Sequence, residues 1–509
     1  MVRGSELFMT MSLLMPPALL APAASVAASV AATPQSPNVL VIIGDDHAPY
    51  VYGAYGYPLA RTPNLDRLAS AGVRFNRAYC NTPMCTQSRQ SLLTGKLPHT
   101  IGVTRLRTAL AARERTLAEM LAERGYTTRA IGKMHFNSKL THGFERHIDA
   151  VEHRAYLKTL KRRPVPQGVE VLGPWRPFRD HARDWLNGFT RPFAAHDAEM
   201  ESTFLAGEAV RFIEAKHDKP YLLFVSFREP HSPFRFPIEY VGRFDPDKMP
   251  ARPVGPEDDG QLPAVFRDLT DGEKRGINAA YYTSVAFLDK NVGLVLDALD
   301  RSGQAEQTLV VYLGDHGYSL GQHGRFEKHC FYEPAVRSPL VFRFPKRFKA
   351  GAVSEALVEF VDIVPTVLDV CGAPVPDGLR GQSLLDVLTG RRGDHRDYVF
   401  CEYYHYPGAM VRTDRYKYIY STGTRERDDG YATGLPLPGR TRRLYDLVDD
   451  PDEMHNLADE PAHQARVAEL EATMLEVFSQ TTPTHNPPVP PTGWKGADLL
   501  DWHLVSRDD

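Results

Sequence analysis

Four short runs of near-continuous apolar residues constrain this chain more than any other feature: residues 39–43, 127–131, 221–227 and 309–313. A strand with one wet face alternates apolar and polar side chains, so a run with no polar face belongs to a strand covered on both sides. The runs are far too short to cross a membrane. Between them lie longer stretches of helical periodicity, the rhythm of a mostly parallel sheet wrapped by helices. Residues 64–70 read as a helix stopped by Gly72, and Thr116 with Glu119 forms a capping box ahead of Leu117, Met120 and Leu121. The longest helix is expected from Tyr282 to Arg301, with Val285, Leu288, Val292, Val295, Leu296 and Leu299 as its core stripe.

Two stretches break this rhythm. Residues 151–195 carry Trp175, Trp185, several prolines and many arginines, and read as an insertion of the kind that shapes a pocket. After Gly390 a charged segment, 391–396, leads into a tyrosine-rich strand and hairpin pattern over 398–420, where a smaller α+β domain begins. Residues 483–491 are proline-rich and extended. At the other end, Arg3, an apolar stretch from Met9 to Val26 and small residues through Ala32 make a cleavable export signal, which implies a periplasmic or secreted protein. The expected organisation is therefore a leader at 1–32, an α/β domain at 36–390 and a C-terminal α+β subdomain at 391–509. No later segment reaches the ~18 apolar residues of a membrane helix, so a soluble mature chain is expected.

Among 509 residues the formal charge is only -3, which leaves no global basic field for nucleic acid. Any anion chemistry must come from a local site. Five cysteines, an odd number with no CxxC pair, argue against a disulfide framework or a zinc cluster.

In doubly wound sheets ligands bind beyond the carboxyl ends of the strands. The first strand runs into Gly44-Asp45-Asp46-His47 and the one near residue 310 into Gly314-Asp315-His316-Gly317. A single such Asp is most simply a helix or turn cap. Two acidic turns in matching positions are different, because crowded carboxylates repel unless a cation such as calcium or magnesium neutralises them. The other two strands add Lys133 and His135, and His231, while Lys328 lies a short loop beyond His316. In the run from Cys80 to Gly95, the Leu92-Leu93 pair before Gly95 predicts a short helix starting near Cys85. Its unpaired amides and dipole favour an anionic nucleophile at Cys85, and Arg89, one turn on, is able to reach back to it.

The segment Cys85-x-x-Ser88-Arg89 followed by Leu92-Leu93-Thr94-Gly95 resembles the signature of the sulfatases, in the alkaline phosphatase superfamily, whose leading cysteine is oxidised to formylglycine. The resemblance continues in order through residues 38–46, Gly132-Lys133-Met134-His135, Pro230-His231, Gly314-Asp315-His316-Gly317, Lys328, residues 360–366, residues 444–447 and Asp450-Pro451 to Asn456-Leu457. Two positions depart from it. Gln87 stands where the signature has proline or alanine, and His316 where sulfatases commonly place asparagine and phosphonate monoester hydrolases have histidine.

The resemblance implies a large mixed, mostly parallel sheet sandwiched by helices, with a smaller C-terminal α+β domain. It implies that Asp45, Asp46, Asp315 and His316 hold a divalent metal, Ca2+ with Mg2+ or Mn2+ as alternatives. Formylglycine 85, as its hydrate, would attack sulfur and then collapse to aldehyde and sulfate when the second hydroxyl loses its proton. Arg89 and Lys133 would orient the hydroxyls, His135 would act as the base, and Lys328 and His231 would bind sulfate oxygens and serve the leaving group. The implied partners are a sulfated small molecule or carbohydrate and a formylglycine-generating maturation enzyme. Carbohydrate, choline and aryl sulfates all fit. The same apparatus suits a phosphonate monoester or phosphodiester, and an unmatured Cys85 would leave a non-catalytic anion binder.

Overall fold

The computed structural model describes residues 36–424, 431–481, 483 and 489–505; the expected leader and most of the proline-rich tail lie outside the described residues. Eight strands build the large sheet: β1 (Asn38–Gly44), β2 (Val73–Tyr79), β3 (Thr127–Gly132), β4 (Arg146–Ile148), β5 (Tyr221–Ser226), β6 (Thr308–Gly314), β7 (Leu340–Arg343) and β8 (Ala352–Glu359). Their order is β4-β3-β5-β1-β6-β7-β2-β8. The four apolar runs are its adjacent centre, β3-β5-β1-β6, all parallel. β7 runs antiparallel to both β6 and β2, so the sheet is mixed.

Burial on both faces explains the apolar runs of β1, β5 and β6, whereas β3, with Thr127 and Arg129 half-buried, is covered less completely than its reading as an apolar run implied. Val39, Val41 and Ile43 join one core cluster with Phe224, Val311 and Leu313. Their neighbours Leu40 and Ile42 join a second cluster on the opposite face with Leu223, Val225 and Val310. Each such side chain contributes roughly 1.5–3 kcal/mol by leaving water. The strands that the pattern did not mark have weaker signals: β2 carries Arg74, Asn76 and Arg77, and β8 carries a half-exposed stretch through Glu355.

The long helix spans Asp271–Arg301 and begins earlier than Tyr282 because Thr270 and Glu273 cap it reciprocally. Gly272 and Gly276 in its first turns look like breakers. Gly276 instead serves a close approach, since a Cβ there would lie 1.8 Å from the Gly188 carbonyl oxygen. That contact ties the helix to the 151–195 segment, whose Trp185 and Leu186 are core residues packed with Phe266 and Ile277.

The second sheet comprises β9 (Tyr398–Tyr403), β10 (Gly408–Thr413), β11 (Tyr416–Ser421) and β12 (Thr441–Asp446), antiparallel in the order β12-β11-β10-β9. Its alternation has a structural meaning. Phe400, Val411, Tyr418 and Leu444 pack beneath helix Gln464–Gln480 through Leu470, Met474 and Val477. The intervening Cys401, Met410, Ile419 and Tyr445 belong to the main core. Period-two burial thus welds the small sheet to the large one. Among the described residues all five cysteines are free, and no helix is long and apolar enough to cross a membrane.

Candidate active site

Strand register assembles the site. Gly44 pairs with Gly314, Ile43 with Ser226, and Gly132 with Ser226, so β1, β6, β5 and β3 end level with one another. Glycine is required at two of these ends: a Cβ on Gly132, at φ +95°, would lie 2.0 Å from the Ser226 carbonyl oxygen, and one on Gly314 would lie 2.4 Å from Ser338 Oγ. The turns that follow point their side chains into one buried pocket.

Helix Cys85–Thr94 starts at the proposed nucleophile and ends at Gly95 in the left-handed region, so Cys85 occupies its first turn. Cys85 Sγ lies 3.5 Å from Asp45 Oδ1, 3.7 Å from Asp46 Oδ1, 3.3 Å from His316 Nε2 and 3.2 Å from Lys328 Nζ. Burial works to raise the Cys85 thiol, but Lys133, Lys328, His316 and a hydrogen bond with His135 outweigh it and hold it well below its ordinary value. The pocket is built for negative charge at residue 85.

Asp45, Asp46, Asp315 and His316 are at most 1% exposed. One donor atom each from Asp46, Cys85, Asp315 and His316 falls within 4.8 Å of the others, and the same holds for Asp45, Cys85 and His231. The His316 Nδ1–H donates to the Gly317 carbonyl at 2.9 Å, which leaves Nε2 as the ring nitrogen facing the pocket. Asp46 adopts φ +67°, a strained conformation held by its amide donating to Asp315 Oδ1 at 2.9 Å and by Tyr281 donating to its carbonyl at 2.5 Å. Asp46 Oδ2 is buried with no hydrogen-bond partner. Burial pushes the Asp315 carboxyl up to about 7 against the pull of His316 and Arg89. Three dry carboxylates and an oriented imidazole fit a divalent cation.

Cationic side chains brace the cluster. The Arg89 Nε donates to Asp315 Oδ2 at 2.9 Å, and its terminal nitrogens reach Asp45 Oδ1 at 3.2 Å, the Lys133 carbonyl at 2.6 Å and Ser226 Oγ at 2.7 Å. Arg89 therefore grips the carboxylates and reaches residue 85 through its charge. Lys133 donates to Asp45 Oδ2, and Lys328 to Asp46 Oδ1 at 2.6 Å. Burial works against the Asp45 charge, yet Lys133, His231 and Arg89 hold that carboxyl well below the usual range. His231, half-buried, has its Nδ1 on the Ser232 carbonyl at 2.7 Å. Burial keeps His135 below its ordinary value, hence neutral. All ten residues singled out in the sequence meet here.

Several residues to which the sequence reading gave no role complete the site. Ser88 donates to the Asp315 carbonyl, Gln90 Nε2 to the His135 carbonyl at 2.9 Å, and Ser226 receives Arg89. Ser88 and Gln90 lie on a helix already marked, whereas Tyr281 reads as core. Gln87 is buried, with Nε2 donating to the Thr104 carbonyl at 2.8 Å.

The sulfatase family profile matches residues 37–373, well over half the chain, and the profile of the N-sulphoglucosamine sulphohydrolase C-terminal region matches 321–480. The chain belongs to the sulfatase family. As such it is a sulfuric ester hydrolase by class. This sulfatase is 28% identical to an N-acetylglucosamine-6-O-sulfatase of Bacteroides thetaiotaomicron, over 91% of each chain. It is 26% identical to an arylsulfatase of Clostridium perfringens, over 86% of this chain and 94% of that one. In structure it resembles the phosphonate monoester hydrolase of Agrobacterium radiobacter, with a TM-score of 0.73 and 25% identity over 89% of this chain and 99% of that one.

Proposed function

We propose that this sulfatase hydrolyses a carbohydrate sulfate ester, using formylglycine made from Cys85 and a divalent cation, Ca2+, held by Asp45, Asp46, Asp315 and His316. The observation that carries the reading is the buried, unpartnered Asp46 Oδ2 in a cluster of carboxylates and imidazole around Cys85. Hard oxygen donors favour calcium or magnesium over softer metals. When bound, the cation supplies an electrophile that draws charge from a sulfate oxygen and orients the ester. Formylglycine supplies, as its hydrate, an oxygen nucleophile and a second hydroxyl through which sulfate can leave.

The chain's own residues do the rest. Lys328 puts a fixed ammonium 3.2 Å from Cys85 Sγ, the position that an oxygen of the formylglycine hydrate would replace, where it would bind a sulfate oxygen and offset charge as it develops. His231 shares the leaving-group side. Neutral His135, hydrogen-bonded to residue 85, takes the proton that releases sulfate. Lys133 and Arg89 hold Asp45 and Asp315 in place and add positive charge beside the nucleophile. The relatives support a carbohydrate substrate, and the leader supports export and maturation by a formylglycine-generating enzyme.

Peptide mass spectrometry of residue 85, in protein made with and without that maturation machinery, tests the mechanism alongside turnover of N-acetylglucosamine 6-sulfate and of an aryl sulfate. Active material should carry the aldehyde or its hydrate at residue 85. Full activity in protein with only unmodified cysteine there would refute the formylglycine route. His316 and the likeness to a phosphonate monoester hydrolase favour one second reading, phosphonate monoester cleavage at the same site. A higher kcat/KM for a phenyl phosphonate monoester than for any sulfate ester would select it.

A further inference from the structure

A cavity of about 550 Å3, the size of many small-ligand pockets, is lined by Lys133, His135, Lys139, Asp149, Glu201 and Arg228, among others. Lys133 and His135 belong to the proposed sulfate site, so the cavity is contiguous with it. Of its acidic groups, one caps a helix and the other is ion-paired. Asp149 accepts from the Val151 amide at 2.8 Å at the start of helix Ala150–Leu157, and Glu201 accepts from Arg228 Nε at 3.0 Å. The Lys139 ammonium has no partner among the described residues, and Arg228 keeps its terminal amino groups beyond the Nε bond.

Lys139 sits on a loop that is held, not merely solvated. His135, Asn137 and His142 adopt φ of +62°, +56° and +48°, a departure costing roughly 1–3 kcal/mol at each residue unless surrounding structure maintains it. That structure is present. Asn137 Nδ2 donates to the carbonyls of Leu106 at 2.9 Å and Thr108 at 3.0 Å, Gln90 holds the His135 carbonyl at 2.9 Å, and Thr116 Oγ1 holds that of His142 at 2.7 Å. The loop thus presents the Lys139 cation to the cavity that Lys133 and His135 also line, together with the Arg228 guanidinium, a group suited to bidentate contact with an oxyanion.

We infer that Lys139 and Arg228 bind a second anionic group, sulfate or carboxylate, on the saccharide whose ester is cleaved, so that the substrate is a polyanionic sugar. This inference rests on the sulfate-ester hydrolysis proposed above. It is tested with matured full-length enzyme acting on N-acetylglucosamine 6-sulfate, on glucosamine 2-N,6-O-disulfate and on an aryl sulfate, each at low and high salt. The wild type should show a KM for the disulfate at least tenfold below that for the monosulfate, a gap that narrows as salt screens the exposed charges. Lys139→Ala with Arg228→Gln should cut the disulfate-to-monosulfate ratio of kcat/KM roughly tenfold, through KM. Binding of both sugars to Cys85→Ala protein gives a readout independent of turnover and should show the same preference. Equal affinity for the two sugars, or an equal effect of the variants on both, would overturn the inference while aryl sulfate turnover left the sulfatase reading standing. Failure to cleave all three esters would overturn both.

Discussion

Asp362 lies in the 360–366 block that carries part of the family resemblance, yet its contacts make it a joint between the two sheets. One carboxylate oxygen accepts from the Gln382 amide at 2.8 Å and from Arg396; the other accepts from the Glu359 amide at 2.9 Å, Arg396 Nε at 2.9 Å and His395 Nε2 at 3.2 Å. Asp362 is fully buried and the Arg396 side chain is 4% exposed. Removing one partner of such a pair strands the other charge, at about 3–5 kcal/mol. The two orphaned amides add roughly 1–3 kcal/mol each. Because these costs overlap, Asp362→Ala should lose about 5–8 kcal/mol, around half the stability of an ordinary protein. Urea denaturation followed by tryptophan fluorescence measures it, and Asp362→Ala with Arg396→Leu should regain much of the loss by removing the stranded charge. The pH dependence has a definite sign. Burial pushes this carboxyl up, but Arg396 and His395 outweigh it and hold it well below the usual carboxylate range. Its contribution is therefore present above about pH 4, the unfolded value, and is lost as pH falls through the depressed folded value. The gap between wild type and Asp362→Asn should narrow below pH 4. A single variant within 1 kcal/mol of wild type at pH 7 would refute this reasoning.

Replacing Asp315 by Asn should leave the fold largely intact but cost more than 100-fold in metal affinity, since loss of a mere outer-shell partner costs 10–100-fold. Elemental analysis and turnover should fall together, and full occupancy with near-normal turnover would reject the assigned site. Gln87→Pro should raise the formylglycine fraction at residue 85 in a heterologous host, read by peptide mass spectrometry, with only about 1 kcal/mol lost along with the bond to Thr104, because proline is tolerated in a helix's first turn. An unchanged fraction would show that Gln87 does not limit maturation. His135→Ala should lower kcat by roughly 10²–10⁴-fold with little change in metal content; a loss below tenfold would remove it as the base. N-terminal sequencing of secreted protein should find a start between Ala28 and Gln35, and an intact Met1 on cytoplasmic material would contradict export.

What the sequence determined by itself is the part governed by local chemistry and strand periodicity. The apolar runs at 39–43, 221–227 and 309–313 are strands buried on both faces, and with the more polar 127–131, which keeps Thr127 and Arg129 half-buried, they form the adjacent parallel centre β3-β5-β1-β6. Because ligands gather at the carboxyl ends of such strands, Asp45, Asp46, Lys133, His231, Asp315 and His316 were all legible as one constellation. The Leu92-Leu93-Thr94-Gly95 ending likewise marked the helix that begins at Cys85. What the tertiary structure decided is whatever depends on partners distant in the chain. β7 runs antiparallel to β6 and β2, a pairing that no local pattern encodes. The start of helix Asp271–Arg301 was hidden by Gly276, whose missing side chain answers to Gly188 and not to its own turn. Arg89 could be seen reaching toward Cys85, but only the fold shows it gripping Asp45 and Asp315 from 44 and 226 residues away. Such long-range pairings follow from strand register and packing, and a linear sequence does not display either until the sheet has formed.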